Sequence, residues 1–318
     1  MTVSKPTVAL SESIDEAGVE LLQQKANVLQ FSSIEELVAA QKNAHTDAII
    51  VRSITIDAGV MDAIPGLKVI GRHGAGLDNI DLEAAKARDI KVVNTPHSNT
   101  HSVAEYVIGA IYSMLKRFDE TSAALREGKF TSECGSLPGQ VQRMGLSGRE
   151  LSSCTLGVVG YGAIGRAVAK LAEGNGMKIA FYDPFVKPES VTDKNRTQYA
   201  SLEELLKVSD VVTLHVPGAP GEPPLIGAKQ LELMKHGSYL VNAARGSIIS
   251  IEAVTEALAS GRLAGAAIDV YANEPPTLSA DLLQQKNVLL TPHMAAMTAE
   301  ALERMAVDVV TNTIEALS

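Results

Sequence analysis

Three short segments, each just beyond an apolar run, carry side chains suited to a single reaction. They are Asn242-Ala243-Ala244-Arg245-Gly246, Asp269-Val270-Tyr271-Ala272-Asn273-Glu274-Pro275-Pro276 and Thr291-Pro292-His293. Taken singly, each has an ordinary reading: Arg245 as a surface charge, Glu274 as a loop acid before prolines, His293 as a turn residue. Together they supply what reversible hydride transfer at a 2-hydroxy acid requires. A guanidinium holds the substrate carboxylate and polarises the C2 oxygen with a fork that lysine lacks. A histidine titrates near neutrality, so it takes the hydroxyl proton in oxidation and returns it in reduction. A carboxylate beside that histidine fixes its tautomer and stabilises the imidazolium. The pattern therefore points to Arg245, Glu274 and His293 as the catalytic set.

A second constellation points to the cofactor. The apolar run Leu156-Gly157-Val158-Val159 leads into Gly160-Tyr161-Gly162-Ala163-Ile164-Gly165, and a helical stretch follows from Arg166 to Glu173. In such a loop the first glycine allows a tight turn, the second lets backbone approach a pyrophosphate, and the third lets helix and strand pack closely. The pyrophosphate then meets the positive end of the helix dipole. A bare glycine pattern is weak, but here the next strand, Lys178 to Tyr182, ends at Asp183, eighteen residues after Gly165. A carboxylate there accepts hydrogen bonds from the adenosine ribose and repels a 2′-phosphate, which favours NAD over NADP. Lys187 is close enough to leave NADP open.

These residues need parallel sheets to hold them. Runs of Val, Ile and Leu alternate with amphipathic stretches in two series, as strands and crossover helices do. The first series has strands at Thr7 to Leu10, Ala48 to Val51, Lys68 to Ile70 and Lys91 to Asn94, with helices at Ile14 to Gln23, Ile34 to Gln41 and Leu82 to Ala87. The second has strands at Leu156 to Val159, Lys178 to Tyr182, Val211 to His215, Tyr239 to Asn242, Ala267 to Val270 and Val288 to Leu290. Between them one long helix is expected from His101 to about Gly128, opened by Ser102 and Glu105 at capping-box spacing. A loop is expected from Thr131 to Gly148, and a last helix from Thr298 to Leu317.

Composition excludes several functions. A formal charge of -9 and a pI near 5.3 argue against a chain that coats nucleic acid or anionic membrane. Cys134 and Cys154 stand alone, outside any zinc or iron–sulfur spacing, and read as spare thiols of a cytoplasmic protein; no metal is expected. The start of the chain lacks the apolar core of a signal peptide, and no stretch is long enough to span a bilayer. A metal-dependent hydrolase is disfavoured because no second histidine stands at ligand spacing from His293.

The ordered motifs Arg72-His73-Gly74-Ala75-Gly76-Leu77-Asp78-Asn79, Asn94-Thr95-Pro96, Val103-Ala104-Glu105, Gly160 to Gly165, Asn242 to Gly246, Gly265 to Val270 with Glu274-Pro275-Pro276, and Thr291-Pro292-His293 resemble the D-2-hydroxyacid dehydrogenase family over nearly the full length. The resemblance implies an α/β fold of two doubly wound parallel-sheet domains. A Rossmann NAD-binding domain, residues 101–290, would be inserted into a flavodoxin-like substrate domain, residues 1–100 and 291–318, with a cleft between them. It implies a homodimer, and Arg245, Glu274 and His293 in the roles assigned above. It also implies a cofactor lining of Ala75, Gly160, Gly162, Ala163, Ile164, Gly165, Asp183, His215, Val216, Pro217, Ala243, Ala244, Arg245, Asp269 and His293, with Asp269 toward the nicotinamide amide. Substrate contacts would come from Arg52, Ser53, Arg72, His73, Gly74, Ala75, Gly76, Arg245 and His293, the loop from Gly74 to Gly76 offering backbone N–H groups to the carboxylate.

Within the family, Val51-Arg52-Ser53 and Gly71-Arg72 look most like the 3-phosphoglycerate dehydrogenase branch, where arginines serve the substrate phosphate. Two guanidinium groups suit a dianion. Three features depart from that branch: His73 in place of a small residue, a longer loop from Cys134 to Met144, and a chain that ends at Ser318 without a regulatory extension. Glyoxylate, hydroxypyruvate or another 2-hydroxy or 2-oxo acid stay open as substrates. A different class, an NAD-sensing corepressor-like protein, can carry the same scaffold; it would show a partner-binding surface or an appended tail. His73, His97 and His101 either reshape the pocket or cap and solvate local turns.

Overall fold

Short apolar runs become strands wherever both of their faces are covered. The computed structural model describes residues 5–41, 45–187, 195–218 and 221–318. Among them, five parallel strands form the first sheet: β1 (Thr7–Leu10), β2 (Asn27–Gln30), β3 (Ala48–Val51), β4 (Val69–Arg72) and β5 (Lys91–Val93), in the order β2-β1-β3-β4-β5. This is the flavodoxin-like order. Helices α1 (Glu16–Lys25), α2 (Ile34–Ala40), α3 (Ala58–Asp62) and α4 (Leu82–Ala87) follow the first four strands, capped by the side chains of Asp15, Ser33, Asp57 and Asp81. These caps satisfy N–H groups that a helix start leaves without partners. One face of the sheet packs Val8, Leu10, Ile50 and Val69 against Leu22 of α1 and Val309 and Val310 of the C-terminal helix, Ala299–Leu317. The other packs Ile49, Val51 and Ile70 against Leu37, Met61, Ala84 and Ala85.

The middle of the chain forms a second sheet. Before it come α5 (Thr100–Lys116), α6 (Phe118–Arg126) and α7 (Leu137–Arg143). Then β6 (Thr155–Val159), α8 (Ala163–Gly174), β7 (Lys178–Tyr182), β8 (Arg196–Gln198), α9 (Leu202–Val208), β9 (Val211–Leu214), α10 (Ala228–Leu233), β10 (Ser238–Asn242), α11 (Ile251–Ala259), β11 (Leu263–Ile268), α12 (Ala280–Leu283) and β12 (Val288–Leu290) alternate. All strands are parallel, in the order β12-β11-β10-β9-β6-β7-β8. The order reverses between β6 and β9, the switch point at which open α/β sheets bind ligands.

The chain divides into two compact units, Met1–Ser102 with Ala296–Ser318, and Val103–Ala295. The expected boundary after residue 290 is displaced: His293 belongs with the inner unit, because its backbone N–H donates to the Asp269 carbonyl at 2.7 Å. Two further expectations are corrected. The single helix from His101 to about Gly128 is two helices, broken at Arg117, whose φ of 56° is left-handed. Such a conformation costs an L-residue roughly 1–2 kcal/mol, offset here by a two-point pair with Glu120 at 2.9 and 2.6 Å and a bond to the Gly145 carbonyl at 2.5 Å. The expected loop from Thr131 to Gly148 contains α7, with Pro138 in its first turn, where a missing N–H costs nothing. Among the described residues, no helix is long and apolar enough to cross a membrane.

Candidate active site

The segment after β10 is shaped by Asn242, which is fully buried. Its side chain accepts from the Ala244 N–H at 3.1 Å and donates to the Arg245 carbonyl at 2.8 Å, closing the turn that carries Arg245. Gly246 then crosses the segment after β11 so closely that a Cβ would lie 1.9 Å from the Tyr271 carbonyl carbon. Only glycine permits this approach, which brings the turn carrying Arg245 against the segment carrying Glu274. The Arg245 guanidinium donates to the Ala244 carbonyl at 2.7 Å.

Glu274 and His293 meet directly. His293 Nδ1 lies 2.8 Å from Glu274 Oε2, while Glu274 Oε1 accepts from the Tyr271 N–H at 3.1 Å. Both side chains are half-exposed. His293 has a φ of 54°, strained for a residue with a Cβ. Asp269 holds it there. This fully buried carboxylate accepts from Thr291 Oγ1 at 2.6 Å, from the Met294 N–H at 2.8 Å and from the Ala295 N–H at 2.9 Å. Three of the roughly four acceptor positions of a carboxylate are thus used to scaffold the histidine segment.

The glycine loop after β6 has the form a dinucleotide needs. Gly160 has φ 88°, and a Cβ on it would lie 2.4 Å from the His215 carbonyl oxygen; a Cβ on Gly165 would lie 2.2 Å from the Gly160 oxygen. Gly162, by contrast, faces open space and caps α8 without a side chain. The start of a 12-residue helix, with its unpaired N–H groups and positive dipole end, is thereby exposed to an anion. Tyr161 anchors the loop from below. It is buried, stacks on Phe181 with ring centroids 3.9 Å apart, and its hydroxyl accepts from Arg196 at 2.8 Å. Arg196 is itself paired with Glu173 at 2.9 and 2.5 Å.

Asp183, at the end of β7, accepts from the Tyr161 N–H at 2.7 Å and the Phe185 N–H at 2.8 Å. Two acceptor positions of the carboxylate remain for ribose hydroxyls. Ala163 and Ile164 form the first turn of α8, Val216 and Pro217 follow β9, and Ala243 and Ala244 follow β10. The residues present therefore fit a nicotinamide dinucleotide. His215 hydrogen-bonds Thr213 Oγ1 at 3.0 Å, and burial pushes its pKa down to about 3, so the ring is neutral.

The terminal unit gathers a different set after β1, β3 and β4. Glu12 accepts from the N–H groups of Arg52 at 2.9 Å and Ser53 at 2.7 Å, and from the Ser53 hydroxyl. Burial works to raise the Glu12 pKa, but these hydrogen bonds outweigh it and hold the carboxyl below its ordinary range. Nothing in the sequence singled out Glu12; only the parallel order of β1, β3 and β4 brings residue 12 beside residue 52. The Ser53 hydroxyl, expected among substrate contacts, is committed to Glu12.

Arg72 Nη1 donates to the His73 carbonyl at 2.6 Å. Gly74, with φ 136°, donates its N–H to Thr95 Oγ1 at 3.0 Å, and Asn94 donates to the Ala75 carbonyl at 2.7 Å. Of the backbone donors expected in this loop, that of Gly74 is therefore taken. His73 is 2% exposed. Burial first, then the charges of Arg52 and Arg72, push its pKa down to about 4. His97 and His101 are exposed. No cluster of three or more metal-ligating side chains occurs among the described residues.

Residues 108–295 match the family model of the NAD-binding domain of D-isomer specific 2-hydroxyacid dehydrogenases. The chain is 39% identical over 298 residues to a D-3-phosphoglycerate dehydrogenase of Archaeoglobus fulgidus, covering 92% of this chain and 54% of that one. It thus spans about half the length of that relative. A hydroxypyruvate reductase of Thermotoga maritima is 38% identical over 307 residues, with 95% of each chain covered. The crystal structure of a D-lactate dehydrogenase from Aquifex aeolicus, complexed with NAD and lactic acid, superposes with a TM-score of 0.82 at 28% identity, covering 96% of this chain and 93% of that one.

Proposed function

Because the chain belongs to the D-isomer specific 2-hydroxyacid dehydrogenases, we propose that it interconverts a D-2-hydroxy acid and its 2-oxo acid with NAD, using Arg245, Glu274 and His293. The observation that carries this reading is the His293–Glu274 pair at 2.8 Å, held in the same unit as the glycine loop and the Arg245 turn. Bound at the loop, the dinucleotide supplies the acceptor or donor of the hydride. With Nδ1–H directed at Glu274, neutral His293 presents an Nε2 lone pair, which takes the C2 hydroxyl proton as C2 gives up its hydride. In the reverse direction the imidazolium, stabilised by Glu274, returns that proton to the carbonyl oxygen. Arg245 grips the substrate carboxylate and polarises the C2 oxygen. Asp269 acts through His293 as a positioning residue, and Asp183 makes NAD the preferred dinucleotide.

Arg52 and Arg72 serve a polar or anionic group at the far end of the substrate, and the N–H groups of Ala75 and Gly76 serve its carboxylate. A second copy of the chain covers Phe118, Leu125, Leu137 and Met144, four exposed apolar side chains on or beside α6 and α7. We place the enzyme in the cytoplasm, in keeping with two free cysteines. The test is NADH oxidation against glyoxylate, hydroxypyruvate and 3-phosphohydroxypyruvate; turnover of none of them rejects the reading. A solution mass near the 33.6 kDa of one chain rejects the dimer.

A further inference from the structure

We propose that Tyr106 is a positioning residue for the reaction: its hydroxyl, acting through Thr291 and Asp269, fixes the segment that carries His293. This rests on the functional reading above, in which His293 moves the proton, and adds the group that holds the proton carrier in place. Tyr106 lies in α5, and its ring packs against the core to which Val107, Ile111, Val158 and Val168 belong. Its hydroxyl lies 2.6 Å from Thr291 Oγ1. Tyr106, Asp269, Thr291 and His293 all belong to the unit Val103–Ala295.

Counting protons gives the chain its direction. The Asp269 carboxylate accepts at both oxygens, from Thr291 Oγ1 and the Met294 N–H at Oδ1 and from the Ala295 N–H at Oδ2. The single proton of the Thr291 hydroxyl is therefore spent on Asp269, at 2.6 Å, which leaves lone pairs for Tyr106. Tyr106 must donate. Burial, with the nearby charge of Asp269, pushes the Tyr106 pKa up to about 12, so the phenol keeps this proton. The Thr291 backbone is held separately: its N–H donates to the Ile268 carbonyl at 3.0 Å, and its carbonyl accepts from the Tyr271 hydroxyl at 3.1 Å. What these bonds leave loose is the rotation of the hydroxyl, and the bond from Tyr106 removes it. Hydrogen bonds that run one way along a chain strengthen one another. This chain ends on the two N–H groups directly after His293, the residue held at a φ of 54°. A loosened Thr291 hydroxyl weakens the grip of Asp269 on that segment, and the imidazole loses its set angle.

The same helix supplies a control. Tyr112, also in α5 and also partly buried, donates its hydroxyl proton to Asn175 Oδ1 at 2.5 Å, just after α8. The test is single-turnover oxidation of NADH by hydroxypyruvate, glyoxylate and 3-phosphohydroxypyruvate in the wild type, Tyr106→Phe and Tyr112→Phe, with urea unfolding of each. Tyr106→Phe should slow the hydride step roughly threefold to tenfold, the range for one lost neutral hydrogen bond, with NADH affinity unchanged. Tyr112→Phe should lower the unfolding midpoint by a similar amount and leave the rate alone. In a Thr291→Val background, Tyr106→Phe should slow the step no further. Equal slowing in the two tyrosine variants, no slowing in Tyr106→Phe, or full additivity with Thr291→Val overturns the proposal. Turnover of none of the three acids by the wild type fails the functional reading instead, and nitrogen-15 NMR then decides the positioning. The His293 ring resonances, identified by their loss in His293→Ala, should move in Tyr106→Phe and stay in Tyr112→Phe; resonances unmoved in both overturn the proposal.

Discussion

Two histidines follow the ends of strands in two parallel sheets, and their surroundings are opposite in charge. His293, after β12, is half-exposed, held at φ 54° by Asp269, and faces the Glu274 carboxylate at 2.8 Å. His73, after β4, is buried and feels the positive charges of Arg52 and Arg72. A carboxylate holds the Nδ1 side of the first ring, whereas burial among cations keeps the second neutral. The residue type is the same; the neighbouring charge is opposite.

The comparison breaks most sharply at His293. His293→Ala should lower kcat by roughly a thousandfold, the range for a lost general base, with a far smaller change in NAD affinity measured by fluorescence titration. Wild-type-like turnover would remove His293 from the reaction. Glu274→Gln should lower turnover by about a hundredfold, because the amide orients the ring without stabilising the imidazolium. Single-turnover rates with NADH check it, and a wild-type rate in the variant would leave Glu274 outside the reaction.

Much of this was legible in the residues, for a physical reason. Strands buried on both faces are uninterrupted apolar runs, so β1, β3 and β7 appear at their true bounds, and the edge strand β12 does so because it too is wholly apolar. Two edge strands that lack this pattern escape: Asn27–Gln30 is half-exposed and Arg196–Gln198 has no apolar residue. The break at Arg117 has no glycine or proline to announce it, because side-chain pairing rather than backbone freedom supports it. Pro138 and Gly139 announced a loop and instead start α7. The places of Arg245, Glu274 and His293 were readable because each follows a recognisable strand. Glu12 was not, since its role comes from strand order, and neither was the loss of the Gly74 N–H to Thr95.

His73 also bears on stability. Its pKa lies near 4 in the folded chain, against 6.5 for the free side chain. The unfolded chain therefore binds more protons across that window, so stability rises with pH through it and is lost as pH falls from 6.5 toward 4. Between pH 7 and pH 5 this amounts to about 2 kcal/mol from His73. His215, lowered to about 3 by burial, acts in the same direction. His73→Gln should therefore reduce, without abolishing, the difference between urea unfolding energies at pH 7 and pH 5. An undiminished difference would mean that His73 is not held neutral, and the contrast with His293 would collapse.

The same contrast recurs, more weakly, between two carboxylates. Glu12 and Asp183 each end a strand and each accept two backbone N–H groups, but Glu12 also takes the Ser53 hydroxyl. Glu12 is thereby filled by its own unit, whereas Asp183 keeps acceptor positions open beside the glycine loop. Asp183→Ala should lower the preference for NAD over NADP by about tenfold, through one lost charged hydrogen bond and a removed repulsion. Glu12→Ala should leave that ratio alone and lower the unfolding midpoint, since three donors lose their acceptor. Ratios of kcat/KM with the two cofactors separate the cases. If both substitutions shift the ratio equally, the carboxylates differ in place but not in task, and the ribose role of Asp183 falls.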